Sequence, residues 1–267
     1  MTLVNGHLAC TVALNDRGLL YGDGVFETIA LVHSQPREID RHLRRLLHGC
    51  QWLAITPPNL SVLRREVAQI SAGTERAVLK IVITRGQGGR GYRPLGQGQC
   101  TRILLLNDWP DYPRNYREQG IAATCCRTRL ARNPSLAGIK HLNRLEQVLA
   151  RSEWQDEYQE GLLLDTDDWV VEGTMSNVFM IQDDALHTPE IKYAGVAGIM
   201  RERILERAAH AGIAAHIRAL KLKDIETAQA LFFCNSLIGI WPVRCLKDKI
   251  FEIHPLTHQI MGLLDLL

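Results

Sequence analysis

Lysine is scarce in this chain. Only seven of its 267 residues are lysine, at positions 80, 140, 192, 221, 223, 247 and 249. Any chemistry that needs a primary amine therefore has few candidates. Aromatic residues make up 6% and the net charge is only +2 with histidine neutral. That excludes the strong basic footprint of a nucleic-acid or membrane-surface binder. No apolar stretch approaches the roughly 20 residues that a membrane span needs. There is no Cys-x-x-Cys pair, and the seven cysteines are scattered at 10, 50, 100, 125, 126, 234 and 245. The count is odd, so a reduced, cytoplasmic protein with buried thiols is expected. Residues 1–10 lack a basic start followed by an apolar run, so no signal peptide is expected. Repeats and low-complexity tracts are also missing. What remains is an ordinary globular composition, 46% hydrophobic and 22% charged. The length suits one large domain or two ordinary ones.

The apolar pattern predicts a mixture of strands and helices without strict alternation. A hairpin is expected over 3–12, turned at Asn5-Gly6. Strands are expected at 25–32, 78–83, 103–106, 121–126, 162–165, 170–172, 178–181 and 231–234. Helical spacing runs from Ile39 to Leu53 with Asp40 as cap, and again over 61–70. Asn143 and Glu146 are spaced like a capping box for the next helix. Another helix runs from about Ile199 to a stop at Gly212, and the tail from 256 to 267 reads as helical. The two prolines in Asp108-Trp109-Pro110-Asp111-Tyr112-Pro113 mark a linker. The expected organisation is a smaller N-terminal domain over 1–107, a linker over 108–117 and a larger domain over 118–267. The class is α+β.

Among the lysines, Lys140 has the unusual setting, between Gly138-Ile139 and a helix start. An amine held on a stiff, partly apolar segment can lose its proton and attack a carbonyl. Lys80 lies in a strand and can face either way. Glu172 ends an apolar run before Gly173, where a carboxylate can face a pocket and hold a proton on a ring nitrogen. Gly195-Val196-Ala197-Gly198 leads into a helix whose first N–H groups, at Ile199 and Met200, favour a phosphate. Of Arg44 and Arg45, Arg45 lies beside the apolar stripe of its helix. The glycine-rich stretch from Arg85 to Tyr92 can place Arg85, Arg90 and Tyr92 over a substrate carboxylate. It can also be read as a short RNA-contacting tract.

Five segments in order resemble the fold-type IV pyridoxal-phosphate enzymes, a family that includes D-amino-acid and branched-chain aminotransferases. They are Tyr21-Gly22-Asp23-Gly24-Val25-Phe26-Glu27, His42-Leu43-Arg44-Arg45-Leu46, Glu172-Gly173-Thr174-Met175-Ser176-Asn177, Gly198-Ile199-Met200-Arg201 and Cys234-Asn235-Ser236. The resemblance implies a two-domain D-amino-acid-aminotransferase-like fold and pyridoxal 5'-phosphate as cofactor. It implies Lys140 as the Schiff-base lysine, and Glu172 as the partner of the ring nitrogen. It further implies Arg45, Ile199, Met200 and Ser236 as phosphate-side contacts. Within the family, residues 133–147 and 85–92 are similar to the lyases that split 4-amino-4-deoxychorismate into 4-aminobenzoate and pyruvate in folate biosynthesis. Thr28 matches a threonine of that active site. The substrate is then a small molecule with two carboxylates, for which Arg90 and Tyr92 are candidates. The family also implies a homodimer. An aminotransferase of the same fold is the alternative, and an RNA-binding protein a remote one.

Overall fold

A computed structural model describes residues 1–94 and 98–264. They form two compact units. The first comprises Met1–Asp111 together with Ile139–Asn143, and the second Tyr112–Gly138 with the residues from Arg144 onward.

In the first unit, strands β1 (Thr2–Val4), β2 (His7–Leu8), β3 (Gly24–Val32), β4 (Gln35–Pro36), β5 (Arg76–Thr84) and β6 (Thr101–Asn107) form one sheet in the order β2-β1-β6-β5-β3-β4. All its pairs are antiparallel. Helices α1 (Arg17–Tyr21), α2 (Ile39–Trp52) and α3 (Leu60–Ser71) complete it. Period-two alternation in β3 and β5 sends Val25, Ile29, Leu79, Ile81 and Ile83 to one face. There they meet Leu43, Leu46 and Cys50 of α2 and Leu63, Val67 and Ile70 of α3. Each fully buried Leu or Ile stabilises the fold by about 2 kcal/mol, so this core, not local propensity, holds α2 in place.

Two local expectations need correction. The hairpin turns at Asn5-Gly6, both with positive φ, but β2 ends at Leu8 and not at 12. Its partner β1 is only three residues long, and Leu8 already pairs with Leu3. Past that pair one further bond forms, from the Ala9 N–H to the Thr2 carbonyl at 3.3 Å, and β1 begins there. Asp40 does not cap α2. The chain enters that helix at Glu38, with φ 52° and no side-chain cap. A cap must precede the helix in non-helical geometry. Asp40 already lies within the first turn and instead bonds Arg64 of α3 at 2.6 Å.

The second unit holds β7 (Ile121–Leu130), β8 (Glu160–Asp165), β9 (Val170–Gly173), β10 (Asn177–Gln182), β11 (Ala185–Thr188), β12 (Ala215–Ile217), β13 (Ala230–Asn235), β14 (Gly239–Leu246) and β15 (Lys249–Ile250). They form a mixed sheet in the order β12-β11-β10-β13-β14-β7-β8-β9, with β15 beside β14. Its helices are α4 (Asn115–Glu118), α5 (Leu145–Arg151), α6 (Ile199–His210), α7 (Leu222–Thr227) and α8 (Pro255–Leu263). The central strands are apolar without a break because both faces are covered. Val178, Met180, Leu231 and Phe233 pack with Ile225 of α7. Phe179, Ile181 and Phe232 pack with Met200 and Ile204 of α6 and Ile260 of α8. Residues 265–267, expected to be helical, lie outside the described residues.

The capping-box expectation for α5 also fails. Arg144 occupies the N-cap without a side-chain bond. Asn143 gives its amide to the Gly22 carbonyl at 3.1 Å, and Glu146 accepts from the Ala131 N–H at 2.8 Å. Asn143 is already committed to the first unit, so it cannot close a box with Glu146. No described helix is long and apolar enough to cross a membrane.

Candidate active site

Residues 139–143 extend the first unit's sheet beside the start of β3. The Phe26 N–H donates to the Lys140 carbonyl, and the Leu142 N–H to the Gly24 carbonyl, both at 3.0 Å. His141 bridges Val25 between them. Residues opposed across antiparallel strands share a face. Ile139 therefore joins Val25 in the core, while Lys140 takes the opposite face with Phe26. Its Nζ stands 4.3 Å from the centre of the Phe26 ring. Thr28 follows Phe26 on that face and pairs with Lys80 of β5. The Lys80 Nζ lies 5.2 Å from the same ring. The register thus settles which way Lys80 points. It also brings Lys140, Thr28 and Lys80 onto one half-buried surface. Among the described residues no carboxylate pairs with Lys80, so its charge there is uncompensated.

Arg45 is placed differently. Glu27 lies on the core face of β3 and is fully buried. It accepts from Arg45 Nε at 2.8 Å and Nη2 at 2.5 Å, and meets His42 Nδ1 at 2.6 Å. Burial pushes the Glu27 carboxyl up, but the Arg45 charge and the bonds from Arg45 and His42 outweigh it and hold the pKa at about 2. The same pairing balances the arginine, which then offers oriented donors more than net charge. A folded-state pKa below the unfolded value stabilises the fold above the unfolded value. That stability is lost as pH falls from 4.5 towards about 2. Urea titrations across that window are expected to show a loss on the order of 3 kcal/mol from this group. Glu27→Gln should flatten the dependence; an unchanged slope would refute the linkage.

In the second unit a buried acid and an uncapped helix start lie in neighbouring segments. Glu172 in β9 is buried, and its Oε2 accepts from the Val196 N–H at 2.8 Å. The 195–198 segment is closely packed. A Cβ on Gly195, whose φ is +88°, would strike Val171 Cγ1 at 2.7 Å, and one on Gly198 would collide with Asn177 Oδ1. Asn177 in turn donates to the Val196 carbonyl at 2.9 Å. Gly198 begins α6 with no side-chain cap, so the first-turn N–H groups at Ile199 and Met200 suit an anion. Gly138 bonds the same segment through Gly195 and Ala197, which fixes the chain two residues before Lys140. Ser236 sits in the turn after β13, where the side-chain oxygen of Asn235 accepts from the N–H groups of residues 237 and 238.

Sequence reasoning missed Glu160. Fully buried at the start of β8, it accepts from Thr174 N at 2.9 Å, Thr174 Oγ1 at 2.5 Å and Ser176 Oγ at 2.6 Å. It shapes the turn that follows Glu172. Its only signal in the sequence is an acid placed directly before an apolar run.

The glycine-rich loop divides the residues proposed for it. Arg85 is used structurally, bonding Asp23 at 2.7 Å and the carbonyls of Leu53 and Ala54. Arg90 is exposed. Tyr92 is 86% exposed, and its ring meets Tyr21 edge-on at 5.5 Å. All seven cysteines are free thiols. Burial pushes those of Cys50 and Cys126 up to about 12, which keeps them protonated and unsuited to nucleophilic work. No group of three metal-binding side chains occurs among the described residues.

Each unit taken by itself has donors that suit pyridoxal phosphate: a primary amine at Lys140 in the first, and in the second a buried acid bonded by a backbone N–H and an uncapped helix start after Gly195 and Gly198. The cofactor has an aldehyde, a ring nitrogen and a phosphate for them. The family profile of amino-transferase class IV matches residues 24–246. The chain is 35% identical to an aminodeoxychorismate lyase of Vibrio harveyi, over 99% of this chain and 100% of that protein. The crystal structure of 4-amino-4-deoxychorismate lyase from Pseudomonas aeruginosa superimposes with a TM-score of 0.95 at 44% identity, covering 98% of this chain and 97% of that one. The branched-chain amino acid aminotransferase of Escherichia coli gives 0.86 at 26% identity, covering 98% and 92%.

Proposed function

The chain belongs to the amino-transferase class IV family, and on that premise we propose that it is a pyridoxal-phosphate-dependent lyase that converts 4-amino-4-deoxychorismate into 4-aminobenzoate and pyruvate. The observation that carries the reading is the surface shared by Lys140, Thr28 and Lys80. It offers one amine for chemistry, one hydroxyl, and one uncompensated cation for an anionic substrate.

Pyridoxal phosphate, when bound, supplies an aldehyde that links to the substrate's amine and a ring that takes up an electron pair. Lys140 would hold the cofactor's aldehyde through its Nζ. The same amine, when free, would take the proton from the amine-bearing carbon of the substrate. Removal of that proton by Lys140 lets the carbocycle expel enolpyruvate and become aromatic. Glu172 would hold the proton on the cofactor's ring nitrogen, and the Val196 N–H fixes the orientation of its carboxylate. Ile199 and Met200 would offer backbone N–H groups to the phosphate, with Ser236 and the Glu27-anchored Arg45 as further donors. The Thr28 hydroxyl, or Lys140 itself, returns a proton to the enolpyruvate carbon.

Lys80 holds one substrate carboxylate, and Arg90 and Tyr92 hold the other. Lys80→Ala is expected to raise KM about ten-fold or more, since a charge-assisted hydrogen bond contributes about 1.5–3 kcal/mol. The cofactor's absorbance should stay as in the wild type. An unchanged KM would remove Lys80 from the site.

A homodimer, working in the cytoplasm in folate synthesis, completes the proposal. On α5, Leu145, Val148 and Leu149 are 76%, 61% and 59% exposed at i, i+3 and i+4 spacing, which is the pattern of a covered helix face. The deciding experiment is an absorbance spectrum of the purified protein followed by assay of 4-aminobenzoate and pyruvate release. A colourless protein, or one releasing neither product, would overturn the reading.

A further inference from the structure

Arg17 is a buried arginine that the reaction does not use. It is 4% exposed, yet its side chain reaches three parts of the loop from Arg85 to Tyr92. Nη1 donates to the Gly91 carbonyl and Nη2 to the Tyr92 carbonyl, both at 2.9 Å. Its stem lies so close to Gly88 that a Cβ there would meet Arg17 Cδ at 2.7 Å. The guanidinium also covers the Tyr21 ring at 4.7 Å, against which Tyr92 packs.

The anchor of Arg17 is equally specific. Nε donates to Asp23 Oδ2 at 2.9 Å, and the same oxygen accepts from Arg85 Nε at 2.7 Å. Arg85 is tied through Nη1 and Nη2 to the carbonyls at the end of α2. One carboxylate thus links both ends of the loop to the rigid part of the unit. The backbone of Arg17 is fixed as well: its N–H donates to the Gly86 carbonyl at 2.9 Å. Asp16, itself buried, accepts from Gly18, Thr84 and Thr101. Carbonyls of a glycine-rich loop have no regular secondary structure to bond. A planar fork that takes two of them in succession selects one loop shape among many.

We propose that Arg17, held by Asp23, is a positioning residue for the lyase reaction: it fixes the 85–92 loop in the shape that presents Arg90 and Tyr92 to the substrate carboxylate. The proposal rests on the reading that this loop binds substrate. Arg17 touches neither substrate nor cofactor, so losing it should act on affinity, not on turnover.

The test uses the cofactor-loaded enzyme with four variants: Arg17→Lys, Asp23→Asn, Arg90→Ala and Tyr92→Phe. Arg17→Lys keeps the charge and loses the fork. It is expected to raise KM about ten-fold with kcat within about two-fold, the signature of lost binding common to ground and transition states. The cofactor's absorbance should not move, and trypsin should cut faster after Arg90. Asp23→Asn keeps Arg17 and should give the same pattern, which guards against a misfolded Arg17→Lys. Wild-type KM and wild-type cleavage in both would overturn the proposal. If Arg90→Ala raises KM while Arg17→Lys and Asp23→Asn do not, the loop binds substrate but Arg17 does not position it. If Arg90→Ala and Tyr92→Phe leave KM unchanged, the substrate reading of the loop fails, and the positioning role falls with it even where trypsin cuts faster.

Discussion

Lys140→Ala is expected to abolish the imine absorbance of the bound cofactor and to lower turnover by about a thousand-fold or more, because it removes both the attachment point and the base. The fold should survive. The backbone of residues 140–142 pairs with β3 through the Lys140 carbonyl and the Leu142 N–H, and neither bond uses the side chain. Thermal unfolding within a few degrees of the wild type would confirm that the loss is chemical. Lys140→Arg is a useful companion, since it keeps a cation beside the Phe26 ring but has no nucleophilic amine. Product release at the wild-type rate in either variant would end the assignment.

Glu172→Gln should behave differently. The amide oxygen can still accept the Val196 N–H, so the β9 end and the 195–198 segment keep their contact. What disappears is the negative charge. Without an anion at the ring nitrogen the nitrogen loses its proton more easily, and the ring is a poorer electron acceptor. The cofactor should remain bound while single-turnover rates drop about a hundred-fold. A rate equal to the wild type would show that Glu172 only shapes the strand end.

The two variants also separate what was legible in the sequence from what was not. Lys140 and Glu172 stand out in the sequence through local signals alone, an amine between a glycine and a helix and an acid before a glycine turn, and the variants test what those signals propose. The buried strands were equally readable, since β10 and β13 are apolar runs bounded by polar turns. Lys80 was not readable, because its direction depends on the register of β5 against β3, a pairing across some fifty residues. The same holds for Arg17, whose partners lie 74 and 75 residues away. Glu160 looked like an ordinary acid at a strand start until the turn it bonds had been folded over it. Asp40 and Asn143 show the converse error. Each has the residue type of a helix cap, but where the helix begins is decided by the tertiary contacts of its neighbours.

Residues 139–143 have a further bearing on how the chain comes into being. Their sheet partner is β3, yet both flanking stretches of chain belong to the second unit. The first unit is therefore incomplete when the chain has left the ribosome only as far as Asp111. Its core still lacks Ile139, and the edge of β3 from Gly24 to Phe26 still lacks a partner. At roughly 5–20 residues per second, that gap stays open for at least a second. The last piece of the N-terminal unit to arrive during synthesis is the one that brings the lysine.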